Sequence, residues 1–171
     1  MTVDSNHLPI VETGVWPDEA AAQRMAQAMA RPDALAQAFI ALEGDLGAGK
    51  TTWVRHLLRA LGATGPIKSP TYALVEPYAL PGLNVWHFDL YRFTDPQEWE
   101  DAGFRDIFSG PGLKLVEWPQ RAQSCLPTPD LTLHVQLLDA QRRGLRLQAH
   151  TPCGLGLVRL ARAALPAEPC P

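Results

Sequence analysis

Gly44-Asp45-Leu46-Gly47-Ala48-Gly49-Lys50-Thr51 fits the pattern G-x-x-x-x-G-K-[ST] at every constrained position. Phe39-Ile40-Ala41-Leu42 runs into it as a continuous apolar segment, the signature of a strand buried on both faces of a parallel sheet. Behind it, Trp53, Val54, Leu57, Leu58 and Leu61 recur at helical spacing until Gly62 stops the run. Strand, glycine loop and helix thus stand in the order that a phosphate-binding loop requires. Glycines at 44, 47 and 49 let the backbone curl so that successive N–H groups point inward as an anion nest. Lys50 offers a point charge to the β- and γ-phosphates and Thr51 a hydroxyl to Mg²⁺. The helix start aims its positive dipole end at the same place. Asp45, Leu46, Ala48 and Thr52 complete the segment expected to touch a nucleoside triphosphate.

Working outward, 171 residues suit one globular domain, taken as 1–165, with a Pro-rich tail at 166–171 expected to be disordered. Hydrophobic residues make up 46% and charged residues 19%, a globular composition, and no apolar run approaches the roughly 18 residues of a membrane span. No secretory leader is visible, so the expected compartment is cytoplasmic. Cys125, Cys153 and Cys170 are odd in number and lack C-x-x-C spacing, as expected of free thiols in a reducing cell. The net charge of −3 argues against a nucleic-acid coat. Acids cluster at Asp95, Glu98, Glu100, Asp101 and Asp106, whereas Arg142, Arg143, Arg146, Arg159 and Arg162 crowd the end of the chain. Solvated faces or docking surfaces explain both clusters.

Ile10 and Val11 are candidates for a short edge strand. Trp16-Pro17-Asp18-Glu19 reads as a helix start, with Ala22, Met25, Ala26 and Met29 on one face and Pro32 as its end. Ala73 to Val75 and Leu83 to Tyr91 read as strands, joined through Pro77, Pro81 and Gly82. Asp95-Pro96-Gln97-Glu98 starts a short helix that Gly103 ends, and Leu113 to Trp118 returns to strand. Leu131 to Leu137 and Leu145 to Ala149 alternate apolar with polar residues, the pattern of an antiparallel hairpin with one wet face. The implied fold is α/β: a P-loop NTPase domain with a mostly parallel sheet flanked by helices and an antiparallel hairpin extension.

Hydrolysis needs more than a phosphate cradle: an acid must organise Mg²⁺ and something must place water. Two strands, Val85 to Asp89 and Leu113 to Glu117, each end in a carboxylate, and parallel strands deliver such ends to the edge that carries the phosphate loop. Either acid alone also fits a surface ion pair. Ser69-Pro70-Thr71-Tyr72 sits where a switch loop senses a γ-phosphate, and equally fits a Pro-initiated turn. His87 reads as a core or supporting histidine and Trp118 as packing. Neither N-K-x-D nor D-x-x-G occurs, which favours ATP over GTP.

With Gly44 to Thr52, Ser69-Pro70-Thr71-Tyr72, His87-Phe88-Asp89-Leu90-Tyr91-Arg92 and Glu117-Trp118-Pro119 in that order, the sequence resembles the bacterial TsaE (YjeE) family. These are P-loop ATPases of tRNA threonylcarbamoyladenosine biosynthesis. The resemblance spans about Trp16 to His150 and leaves a disordered-looking stretch beyond it. It implies ATP and Mg²⁺ as cofactors and TsaD and TsaB as partners, with tRNA met indirectly and ATP turnover serving repeated cycles. It further implies Lys50 as phosphate ligand, Thr51 and Glu117 as Mg²⁺ ligands, Asp89 as an acid near the metal, Trp118 as a wall of the pocket and Thr71 as sensor. Glu19 and the Gln141 to Arg143 turn, with Arg142 at its centre, are implied near the nucleotide.

Two other readings remain: a small-molecule P-loop kinase, which needs an Arg-rich lid that the stretch before Glu117 lacks, and a nucleotide-sensing adaptor without a catalytic base. The sequence also predicts slow hydrolysis by the isolated chain, with the acidic stretch at Glu98, Glu100 and Asp101 as a docking face.

Overall fold

The computed structural model describes residues 8–70 and 72–166. Its centre is β2 (Phe39–Glu43), buried on both faces as its unbroken apolar sequence requires. Parallel neighbours lie on either side, β5 (Leu113–Glu117) and β6 (Leu131–Leu137), and β4 (Leu83–Asp89) continues the parallel set beyond β5. Antiparallel strands close both flanks. β3 (Val75–Leu80) pairs with β4, while β7 (Arg143–Ala149) pairs with β6 and with β1 (Ile10–Trp16). The sheet therefore has seven strands in the order β1-β7-β6-β2-β5-β4-β3.

Strand alternation divides the buried side chains between two cores. Ile40, Leu42, Val85, Leu113 and Leu115 join the first, covered by α1 (Glu19–Met29), α3 (Lys50–Ala60) and α6 (Pro152–Ala164). Phe39, Ala41, Phe88 and Val116 point the other way, against α4 (Pro96–Asp101) and α5 (Phe104–Ser109). That second core is aromatic: Phe88 lies edge-on to Phe104 at 5.2 Å between ring centroids and stacks on Trp99 at 5.9 Å.

The α/β architecture expected from the sequence is the one observed, with several local differences. The helix begun at Glu19 is capped by the Asp18 carboxylate on Ala21 N–H and ends at Met29, so Pro32 does not close it but opens the four-residue α2 (Pro32–Leu35). Ala73 and Leu74 precede β3 rather than belonging to it. Pro77 lies inside β3, which an edge strand tolerates, and the hairpin turn is made at Pro81-Gly82. α5 was not foreseen. Nor was α6, which replaces the disordered-looking stretch after His150. Thr151 caps α6, its hydroxyl accepting from Gly154 N–H and donating to Asp130. Gly154, an apparent helix breaker, is needed there because a Cβ would lie 1.7 Å from the Asp130 carbonyl oxygen. The acidic face is partly neutralised, since Arg105 pairs with Glu100. Thr71, Cys170 and the tail beyond Pro166 lie outside the described residues. Cys125 and Cys153 are free thiols. Among the described residues no helix is long and apolar enough to cross a membrane.

Candidate nucleotide site

Because β2, β5 and β4 run parallel, their C-terminal ends share one edge of the sheet, and α3 begins there. The loop from Gly44 to Gly49 joins β2 to α3. Gly44 has φ +143°, and a Cβ on it would meet the Val135 carbonyl oxygen of β6 at 2.4 Å. Gly49, at φ +113°, caps α3 in the left-handed region that glycine enters freely.

Alternation then places the acids. Val85 and Leu115 belong to the core beneath α3, so His87 and Asp89 on β4 and Glu117 on β5 continue that face. Asp89 and Glu117 are direct neighbours in the register, facing the first turn of α3. Glu117 is 2% exposed. Its Oε1 accepts from the Thr51 hydroxyl at 2.7 Å and its Oε2 lies 2.7 Å from His87 Nε2. Asp89 accepts from the Ser69 hydroxyl and, at 3.1 Å, from Tyr91 N–H. Ser69 thereby ties the loop before β3 to the acidic end of β4.

Lys50 is buried, and its Nζ donates to the Gly44 carbonyl and, at 3.1 Å, to that of Asp45. The ammonium also lies 4.2 Å from the centre of the Trp118 ring. Burial pushes the Lys50 pKa down, while the charges of Glu117, Asp89 and Asp45 pull it back up. Trp118 has φ +58°, a costly conformation for a large side chain, and turns the chain from β5 into the short 3₁₀ turn Pro119–Ala122.

Two clefts meet at the loop. The first, about 210 Å³, is walled by Leu46 to Thr52 with Asp89, Glu117, Trp118 and Arg143. The second, about 340 Å³, lies between the start of α1 and the β6–β7 tip, with Trp16, Glu19, Ala22 and Gln141 on its walls. Gly49, Thr52 and Arg143 belong to both. Glu19 also reaches His56 on α3 at 3.0 Å.

Arg142 is not brought to either cleft. Its guanidinium bonds Asp139 at 2.6 Å on the exposed tip, and Arg142 and Gln141 hold the Asp139 carboxyl down at about 2. The neighbouring Arg143 occupies the junction instead. Its Nε donates to the Ala48 carbonyl at 2.8 Å and its Nη1 to the Asp139 and Arg142 carbonyls at 3.1 and 3.2 Å. Among the described residues no carboxylate pairs with it, which leaves an oriented cation beside the phosphate loop. The signal for it was in the hairpin alternation: position 143 shares the face of Leu145, Leu147 and Ala149, which points toward the helices that carry the site.

Thr51, Asp89 and Glu117 form an oxygen-only donor set, the chemistry suited to Mg²⁺. Among the described residues no three His, Cys, Asp or Glu side chains group as ligands. Mg²⁺ commonly relies on one or two carboxylates plus substrate phosphates, so these residues fit it.

A family model described as "Threonylcarbamoyl adenosine biosynthesis protein TsaE" matches residues 16–145. The tRNA threonylcarbamoyladenosine biosynthesis protein TsaE of Haemophilus influenzae is 42% identical over 120 residues, covering 70% of this chain and 75% of that protein. The protein of the same description from Bacillus subtilis is 36% identical over 110 residues, covering 64% and 68%. Among solved structures, the crystal structure of Bacillus subtilis YdiB superposes with a TM-score of 0.72 at 26% identity, covering 92% of this chain and 98% of that one. Phosphate loop, paired strand-end acids and family match agree: the chain belongs to the TsaE family of threonylcarbamoyladenosine biosynthesis proteins.

Proposed function

We propose that this protein binds ATP with Mg²⁺ across the two joined clefts and hydrolyses it to support tRNA threonylcarbamoylation by TsaD and TsaB in the cytoplasm, tRNA being met through those partners. The observation that carries this reading is the meeting of Lys50, Thr51, Asp89 and Glu117 at the start of α3, at one edge of the sheet.

Lys50 exchanges its two loop carbonyls for phosphate oxygens, and the N-terminus of α3 adds its dipole. Thr51 and Glu117, with Asp89 beside them, would hold Mg²⁺, which neutralises charge on the β- and γ-phosphates. Arg143 steadies the phosphate chain between the clefts, and the space walled by Trp16, Glu19 and Gln141 receives the base. Ser69 passes a change at Asp89 to the loop that contains Thr71. Among the described residues no side chain stands out as positioning an attacking water, so hydrolysis by the protein alone is slow and partners complete the site.

Product analysis tests this, with phosphate release measured alone and with purified TsaD and TsaB. Inorganic phosphate formed slowly, and faster with the partners, is the expected result. A fast basal rate that the partners leave unchanged, or a phosphorylated metabolite as product, overturns it; the latter restores the kinase reading.

A further inference from the structure

We propose that His87 is a positioning residue that aims the Glu117 carboxylate at the metal, an inference that rests on the Mg²⁺-ATP reading above. His87 is fully buried on the face of β4 that carries Val85, where alternation and neighbours call for an apolar side chain. Among the described residues its Nδ1 finds no partner. An imidazole with one bare nitrogen is a poorer core residue than leucine, so what distinguishes His87 is the other nitrogen, 2.7 Å from Glu117 Oε2. That bond requires Nε2 to carry the proton, because a carboxylate only accepts.

With Oε1 on Thr51 and Oε2 on His87, the carboxylate is held from both sides and cannot turn. Thr51, Glu117 and His87 thereby link α3, β5 and β4 across the site. Remove the histidine and Oε2 becomes a buried oxygen without a donor, free to swing the carboxylate away from the hydroxyl that shares its task. Partners of metal ligands typically account for about 10–100-fold in metal affinity.

ATP binding by calorimetry, across a Mg²⁺ series and without Mg²⁺, separates this role from simple packing. In His87→Leu the metal-free ATP affinity is expected within about twofold of the parent, while the half-saturating Mg²⁺ concentration rises tenfold or more. His87→Gln, whose amide nitrogen stands near the position of Nε2, recovers most of the loss. In a Glu117→Gln background, His87→Leu adds nothing further. Equal weakening with and without Mg²⁺, or the same added loss in the Glu117→Gln background, makes the role structural and overturns the proposal. If His87→Leu does not fold, His87→Asn replaces it: its shorter amide cannot reach Oε2, and equal Mg²⁺ responses of the Asn and Gln variants overturn the proposal. A parent whose ATP affinity ignores Mg²⁺ overturns the site reading itself, whereas a responsive parent with an equally responsive His87→Leu overturns this inference alone.

Discussion

Lys50→Ala separates the cost of building the site from its benefit in binding. Lys50 is a buried cation held by two loop carbonyls and the Trp118 face. Its removal forfeits two hydrogen bonds at about 1 kcal/mol each and relieves a desolvated charge, so Tm should move by only a few degrees. Binding is another matter. A unit charge about 4 Å from a phosphate oxygen is worth about 4 kcal/mol at an effective dielectric of about 20, before desolvation is subtracted. Losing one partner of such a pair costs about 3 kcal/mol or more. At about 1.4 kcal/mol per decade, ATP affinity should fall at least about a hundredfold. Lys50→Met keeps an unbranched side chain of similar length without the charge and should lose as much, assigning the effect to charge. Calorimetric titration with ATP, beside a thermal melt, is the assay. A folded Lys50→Ala protein with the parent affinity would refute the phosphate-loop assignment.

The Lys50 pKa lies below its usual 10.5, so the unfolded chain holds that proton more tightly than the folded one. Stability should therefore rise with pH between the lowered value and 10.5 while ATP affinity falls, and urea midpoints and titrations across that window should lose both trends in Lys50→Met. Asp89→Asn and Glu117→Gln should cut phosphate release by about 10²-fold or more with much smaller losses in ATP affinity, since organised charge matters most in the transition state; parent rates in both would dismiss the paired-acid site. Arg143→Ala should weaken ATP binding about tenfold, as expected for a charge-assisted hydrogen bond, and Arg142→Ala should leave it unchanged; the reverse order would return the contact to Arg142. Gly154→Ala drives a Cβ into the Asp130 carbonyl and should cost about 3 kcal/mol, or about 6–12 °C in Tm. Gly156→Ala, with open space around it, should be neutral or slightly stabilising, and equal melts for the two would refute the packing argument.

The phosphate loop was legible because its glycines, lysine and threonine are local requirements, met within eight residues. Asp89 and Glu117 were legible for a related reason: each ends an apolar strand, and parallel strands share a sheet edge. What stayed hidden depended on distant partners. The stretch after His150 looked disordered, and its Gly154 has a reason only in the close approach of Asp130. α5 is a six-residue helix whose Phe104 and Phe108 make too short a pattern to read until Phe88 and Trp99 lie opposite them. The choice between Arg142 and Arg143 hinged on where the hairpin tip ends, a one-residue boundary that reverses which side chain faces the helices.

The pairing of Trp16 with Arg143 bears on when the site comes into being. β1 is an edge strand with β7 as its neighbour, so it has no sheet to join until β7 has been made. During synthesis the phosphate loop and α3 emerge together, but the far wall of the second cleft waits for Gln141 and Arg143. At roughly 5–20 residues per second, the interval between the two walls is on the order of 10 s. A nascent chain stalled in that interval has the loop sequence and α3 but lacks the wall that Gln141 and Arg143 supply. On the function proposed above, tight ATP binding is expected only of a chain extended past β7.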